Sequence, residues 1–330
     1  MRFTSLLITV SLLLPCSVHA EWFKAARGIM GTNIEVDLWD TDPIHAKGCI
    51  EEVMGEMKRI DQDMSPYIKT SELYKINQYA AEKPVKISQE MYDLIQRSFY
   101  FSDISHGAFD ITFASIGYRY DYRKHIKPTD AQIKASLKEI NYHHIKLDPE
   151  QRTIRFDMQG VRIDLGGIAK GHAVDNSIKL LQRCGIKDAM VTAGGDSRII
   201  GDHDGRPWMT GIKDPRNKKD SIVVIPLVNT AISTSGDYER YFIKNGVRYH
   251  HILNPRTGKS VHSTRSVTII GPDATTTDGL STTIFVMGPK AGMALVEKLK
   301  DVDAVIIDNQ GKIHYSSGLM PPSISSQPPQ

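Results

Sequence analysis

Hydrophobic and polar positions change period several times along this 330-residue chain, and each change marks an element. In NIEVDLW, apolar Ile34, Val36 and Leu38 alternate with polar neighbours, the period of a half-buried strand. The spacing then shifts to three and four: Ala46, Ile50, Val53, Met57, Ile60 and Met64 predict one apolar face of a helix. Its methionines read as core residues. Pro66 and the Ser/Thr pair of MSPYIKTSELYKIN predict a loop leading into a short helix, with Tyr67 placed to cover a planar ligand or to close the helix packing. Ser88 is expected to cap a helix carrying Met91, Leu94 and Ile95, which SHGAFD ends.

Beyond it, YRYDYRKHIKPTD is polar and aromatic without an apolar period, equally a solvent-facing insertion or a binding lip. NYHHIKLD and QRTIRF predict two strands about the turn at residues 149–151, and VRIDLGG predicts a strand entering a glycine-rich loop. After Gly171, the positions of Ala173, Val174, Ile178 and Leu181 predict a helix that stops before Gly185. DAMVTAGGD then reads as a strand ending in a second flexible loop. Polar, glycine-rich residues therefore gather just after buried segments, where a rigid scaffold can aim them.

The ends set the context. Residues 1–20 hold one charge, Arg2, then the apolar run LLITVSLLL and SVHA, whose small Val18 and Ala20 suit a cleavage point, so a cleavable export signal is expected there. That run is shorter than the roughly 20 residues of a membrane span, and no later segment supplies one. A soluble periplasmic protein is expected, with lipid attachment at Cys16 disfavoured by the preceding Pro15. SSGLMPPSISSQPPQ, with four prolines and no charge, predicts a disordered tail over 316–330. Without Arg2, 40 basic residues face 38 acidic ones, a balance that argues against a broad nucleic-acid-binding face. Cys49 and Cys184 are too few for a disulfide scaffold and match no zinc spacing, and the sequence leaves open whether they pair or remain buried thiols. The remaining length suffices for a large core in one elaborate domain or two closely joined lobes.

Three stretches carry candidate chemistry. DLGGIAKGHAVD, residues 164–175, is neither a Walker phosphate loop nor a dinucleotide fingerprint, yet Lys170 and the glycine amides can approach one anion. Asp175 in it can accept from a ligand or cap a turn. In HILNPRTGK, Pro255 and Gly258 make a turn and His251 stands just before it, suited to accept a hydroxyl proton or to satisfy a loop carbonyl. In TTTDGLSTTIFVMG, Asp278 and Thr282 share a face if the segment is helical from Asp278 onward. They are hard oxygen ligands for Mg²⁺, or else Asp278 is a helix cap and Thr282 bonds the preceding turn.

Taken in order, GIMGTNIEV, MSPYIKTSELYKIN, GAFD, DLGGIAKGHAVD, TAGGD, TSGDYERYF, HILNPRTGK and TTDGLSTTIFVMG resemble the FAD:protein FMN transferase family, also called ApbE-like flavin transferases. The resemblance spans nearly the whole chain after the signal. It implies an α+β fold, a compact two-lobed assembly with FAD between the lobes over residues 21–315. It further implies a Mg²⁺-dependent transfer of FMN from FAD to a threonine or serine hydroxyl, with AMP released. Acceptors would be flavin-bearing subunits of membrane redox complexes such as sodium-pumping quinone reductases. Carried over by position are Met30 and Tyr67 beside the flavin, and Asp110, Lys170, Asp175 and Asp237 around FAD. His251 falls near the reacting hydroxyl, and the Gly167 carbonyl, Asp278 and Thr282 around the metal. The chain departs at Asp196, where many relatives have asparagine, and at Asn254, where aspartate is common. FAD hydrolysis to FMN and AMP, or FAD binding without turnover, are the competing readings.

Overall fold

The computed structural model describes residues 21–217 and 220–320, so the expected export signal over 1–20 lies outside the described residues. The strands of the main sheet, numbered along the chain, are β1 (Glu21–Ile29), β2 (Thr32–Asp40), β3 (Ala189–Ala193), β4 (Asp196–Ile200), β5 (Ala231–Gly236), β6 (Thr264–Gly271), β7 (Asp303–Asp308) and β8 (Ile313–Tyr315). They lie side by side in that same order, and every neighbouring pair is antiparallel. The alternation read in NIEVDLW is that of β2, which buries Ile34, Val36 and Leu38. Its partner β1 is an edge strand with mostly exposed residues, so no alternating apolar signal announced it.

One face of the sheet is covered by helices. The principal ones are α1 (Pro43–Met64), α2 (Glu72–Tyr79), α3 (Gln89–Ile104), α4 (Ala169–Arg183), α5 (Ala274–Met287) and α6 (Pro289–Val296). The predicted stripe of α1 is buried from Ala46 to Met64, and Ser88 caps α3 by accepting from the Met91 amide. The pleat sends Val267 and Ile269 of β6 into the core that contains Leu280 and Ile284 of α5. Ile270 points the other way, into a separate cluster with Ile199, Ile232 and the hairpin strands Trp208–Lys213 and Ser221–Leu227.

A small three-stranded sheet pairs Val85–Lys86, which precedes α3, with Ile145–Asp148 and Thr153–Phe156, which lie between α3 and α4, so two of the expected strands are present. VRIDLGG corrects expectation: it joins no ladder. Side chains take the bonds a sheet would have made. Asn77 bonds both the amide and the carbonyl of Ile163, and the Ser115 hydroxyl accepts from the Arg162 amide. The expected tail also begins too early. At residues 316–320, Ser316 donates its amide to Ala304 and its hydroxyl to Asp303, Glu297 accepts the Ser317 amide, and Ser317–Leu319 forms a short 3₁₀ turn.

Candidate active site

The site grows from two helices that satisfy each other's N-termini. At the start of α4 the amide of Gly171 donates to Asp278 of α5 at 3.0 Å. At the start of α5 the amides of Ala274 and Thr275 donate to Asp175 of α4 at 2.9 and 2.8 Å. Gly171 permits the crossing, because a β-carbon there would stand 2.1 Å from the Ala274 carbonyl oxygen. The local cap of α5 is Asp273, which accepts from the Thr276 amide, so the helix begins four residues before Asp278. Asp278 is therefore an interior helical residue on the face shared with Thr282, and its reading as a local cap is overturned.

Lys170, in the first turn of α4, turns its ammonium toward two buried carboxylates. It hydrogen-bonds to Asp196 at the head of β4 and reaches Asp278 at 3.5 Å. Burial opposes the ammonium, but the charges of Asp196 and Asp278 outweigh that cost and raise its pKa. Burial and the neighbouring Asp196 raise the pKa of Asp278. The β3–β4 turn can bring Asp196 here because Gly194, at φ +65°, passes the Thr32 hydroxyl closely; a β-carbon would lie 2.5 Å from it. Beside the acids, Gly167 packs on Thr282, whose hydroxyl stands 3.3 Å from that of Ser235.

His251 and Arg240 flank the hairpin of Tyr241–Lys244 and Val247–His250. The Arg240 carbonyl accepts the His251 amide at 3.1 Å and faces its Nδ1 at 3.4 Å. Burial, then the Arg240 charge and His250, push the His251 pKa down to about 3, so the ring is neutral. With Nδ1 protonated toward the carbonyl, Nε2 is left as an acceptor. The adjacent His250 is a satisfied core residue: Nε2 donates to the Val261 carbonyl at 2.5 Å and Nδ1 accepts from the Ile252 amide at 3.3 Å. The polar aromatic insertion closes over this hairpin, with Tyr122 donating to the His250 carbonyl at 3.4 Å and its ring 6.1 Å from that of Phe242.

Met30 sits with φ +56° in the two-residue turn between β1 and β2 and packs against the apolar core, while a β-carbon on its neighbour Gly31 would lie 3.8 Å from the Arg240 guanidinium. Tyr67 is 77% exposed and within electrostatic range of Arg240 and Asp164. Thus Tyr67, Gly167, Lys170, His251, Asp278 and Thr282 are linked through neighbouring contacts and fields, with Met30 one residue from the Gly31 that faces Arg240.

Three expected residues are committed elsewhere. Asp175 spends its oxygens on the start of α5, the Thr275 hydroxyl and Arg198. Asp110 accepts from the Thr112 amide and hydroxyl and from the Tyr142 amide, beside an open cavity of about 410 Å³ that also touches His106 and Arg256. Asp237 is clamped by both terminal nitrogens of Arg216 at 2.8 and 2.9 Å. Sequence reasoning gave no role to Arg240, to Asp164, or to Asp196 as a lysine partner. Arg240 and Asp164 lay within quoted motifs, and Asp196 was noted as a departure. Asn254 accepts from the Arg256 amide at 2.9 Å, a turn role that needs no carboxylate.

This α+β fold is that of solved ApbE proteins. The ApbE protein of Thermotoga maritima superposes with a TM-score of 0.84 at 36% identity, covering 90% of this chain and 98% of that one. The flavin transferase ApbE of Vibrio cholerae gives 0.81 at 30% identity, covering 91% and 98%. In sequence, an FAD:protein FMN transferase of Vibrio cholerae is 31% identical over 328 residues, 97% of this chain and 98% of its own. The ApbE family pattern matches residues 30–306, and the chain belongs to that family.

Proposed function

We propose that the chain is a Mg²⁺-dependent FAD:protein FMN transferase acting on a threonine or serine hydroxyl of a partner redox protein. The observation that carries this reading is the neutral His251, whose Nε2 has no hydrogen-bond partner among the described residues. An incoming hydroxyl oxygen attacks the FMN-side phosphorus of FAD and gives its proton to Nε2. The phosphodiester forms as the anhydride bond breaks and AMP leaves. The low basicity of His251 is partly set by Arg240 and Lys170. An anionic diphosphate beside those cations offsets their effect, so substrate binding makes the imidazole a better base.

Asp278, Thr282 and the Gly167 carbonyl are the residues suited to hold Mg²⁺. No cluster of three His, Cys, Asp or Glu side chains suited to a metal occurs among the described residues, so substrate oxygens would complete the set. The donors favour a cation: two carboxylates, Asp196 and Asp278, share the single ammonium of Lys170, and a cation there would offset the Asp196 repulsion that raises the Asp278 pKa. A bound Mg²⁺ would neutralise diphosphate oxygens during transfer. Met30 and exposed Tyr67 would border the flavin in this reading, while Asp175 acts by holding α4 to α5. The acceptors we propose are flavin-bearing subunits of membrane redox complexes, of the sodium-pumping quinone reductase kind, reached in the periplasm. No described helix is long and apolar enough to cross a membrane.

The test incubates the protein with such a subunit, FAD and Mg²⁺, then weighs the acceptor by mass spectrometry. A covalently added FMN with matching AMP is expected. AMP without acceptor modification would make the protein an FAD hydrolase, and FAD binding without either product would make it a carrier.

A further inference from the structure

Away from the acidic centre, the two described cysteines meet on the outer side of the α1–α4 packing. Cys49 is buried on α1, and Cys184 is the half-buried residue that closes α4. They are 135 positions apart in sequence, yet their side chains come close enough for Cys184 to act on the Cys49 thiol. Cys184 in turn reaches the Glu52 carboxylate at 4.0 Å, one turn along α1. On the other side of Cys49, His45 Nε2 lies 3.6 Å from its sulfur, and His45 Nδ1 is held by Asp40 at 2.6 Å. An aspartate at the end of β2, a histidine in the first turn of α1 and a cysteine four residues later are thus aligned on a second cysteine. None of these groups takes part in flavin transfer.

We propose that Cys49 and Cys184 are a thiol pair that closes to a disulfide by exchange with an external disulfide, with His45 as the proton acceptor for Cys49. The more accessible Cys184, as thiolate, attacks the external disulfide, forms a mixed disulfide and releases one thiolate. Cys49 then loses its proton to His45, attacks the Cys184 sulfur and expels the second thiolate. The protons of the two protein thiols end on the two released small thiols, and the two electrons end in the reduced reagent. The division of labour follows from the site. Burial and the Cys184 contact push the Cys49 thiol up to about 12, so it needs a base, and Asp40 orients that base. The bond would tie the C-terminal end of α4 to α1, at the opposite end of the helix from Lys170. The export expected for residues 1–20 would expose the pair to such disulfides.

The experiment treats the full chain with oxidised glutathione, quenches with N-ethylmaleimide and maps the peptides by mass spectrometry. A cross-link between the Cys49 and Cys184 peptides, each carrying no maleimide, is expected, with a melting temperature higher than that of the reduced protein by about 5 °C or more. Two persistently free thiols, two separate glutathione adducts, or a cross-link to Cys16 instead would overturn the proposal. His45→Ala should accumulate the glutathione adduct on Cys184 and slow closure several-fold at neutral pH. An unchanged rate in a folded His45→Ala protein would remove His45 from the step. In Cys184→Ser, glutathione should leave Cys49 unmodified; rapid modification there would overturn the order of attack.

Discussion

Asp278 carries the sharpest consequence at the scale of one residue. Asparagine in its place keeps an oxygen for the Gly171 amide and nearly the same size, but removes the charge that faces Lys170 and the proposed cation. Lys170 retains Asp196, so the fold should survive. Asp278→Asn is expected to cost tenfold or more in turnover, ~1.4 kcal/mol of transition-state stabilisation, or to shift the Mg²⁺ response to higher concentration. AMP release and FMN attachment followed across a Mg²⁺ titration, with circular dichroism as the folding control, decide the matter. An unaltered titration would remove Asp278 from the metal set. Thr282→Val, which deletes a neutral oxygen, should move activity in the same direction by less. The histidines make a separate prediction. His250 is pushed down to about 4 by burial and His251 to about 3, so neither imidazole should titrate between pH 5 and 8 in an NMR experiment. An inflection near 6.5 for either ring would contradict the structure. Since the unfolded chain takes up these protons near pH 6.5, their contribution makes stability rise with pH from about 3, where His251 begins to differ, to about 6.5 and level off above it. The sequence singles out His251, Lys170 and Asp278 because their chemistry is written in the side chain and its immediate neighbours, and the structure sets Lys170 against Asp278. The partners of Asp175 could not be read that way: its amide partners at the start of α5 are 99 and 100 residues away.

That distance makes Asp175 a property of two elements, α4 and α5, and its prediction belongs there. Asp175→Ala would leave Arg198 without its carboxylate and strip two helix-terminal amides of their acceptor. Breaking a buried pair in this way costs about 3–5 kcal/mol, read as a lower denaturation midpoint. Asp175→Asn should cost less, since its oxygen can still accept one amide. Equilibrium unfolding and FAD titration of the Asn variant separate the two roles: full stability with lost FAD affinity would return Asp175 to the ligand pocket. Element boundaries were legible where periodicity was strong, as in α1, α3 and β2. They failed where tertiary partners replaced regular ones. VRIDLGG has the composition of a strand, but Asn77 and Ser115 supply the hydrogen bonds of its ladder, and nothing local records that substitution. α5 begins at Ala274 because Asp273 and Asp175 together satisfy its first amides, whereas the sequence pattern drew attention only to Asp278.

Across the whole molecule, the sheet separates chemistry from support. The polar centre is built from helix starts, strand ends and turns, while the hairpin of Trp208–Lys213 and Ser221–Leu227 packs on the face turned away from the helices. All three tryptophans of the chain gather on that side: the Trp22 ring lies 5.4 Å from Trp39 and 5.1 Å from Trp208. Intrinsic fluorescence therefore reports on the supporting face, and far-UV circular dichroism on sheet and helices together. Because β4, β5 and β6 present Ile199, Ile232 and Ile270 to the hairpin and bury Ile200, Ala231 and Ile269 in the helical core, the two layers share the same strands. The two signals should then give one denaturation midpoint. Trp208→Ala, which empties a buried aromatic site, should lower that midpoint by ~3–5 kcal/mol of stability while leaving the KM for FAD close to that of the parent. Trp208→Phe should cost much less, since the buried indole nitrogen of Trp208 has no hydrogen-bond partner to lose. An earlier fluorescence transition would show the hairpin layer unfolding by itself, and a large rise in KM in the folded Ala variant would mean that the sheet transmits packing strain to the flavin site.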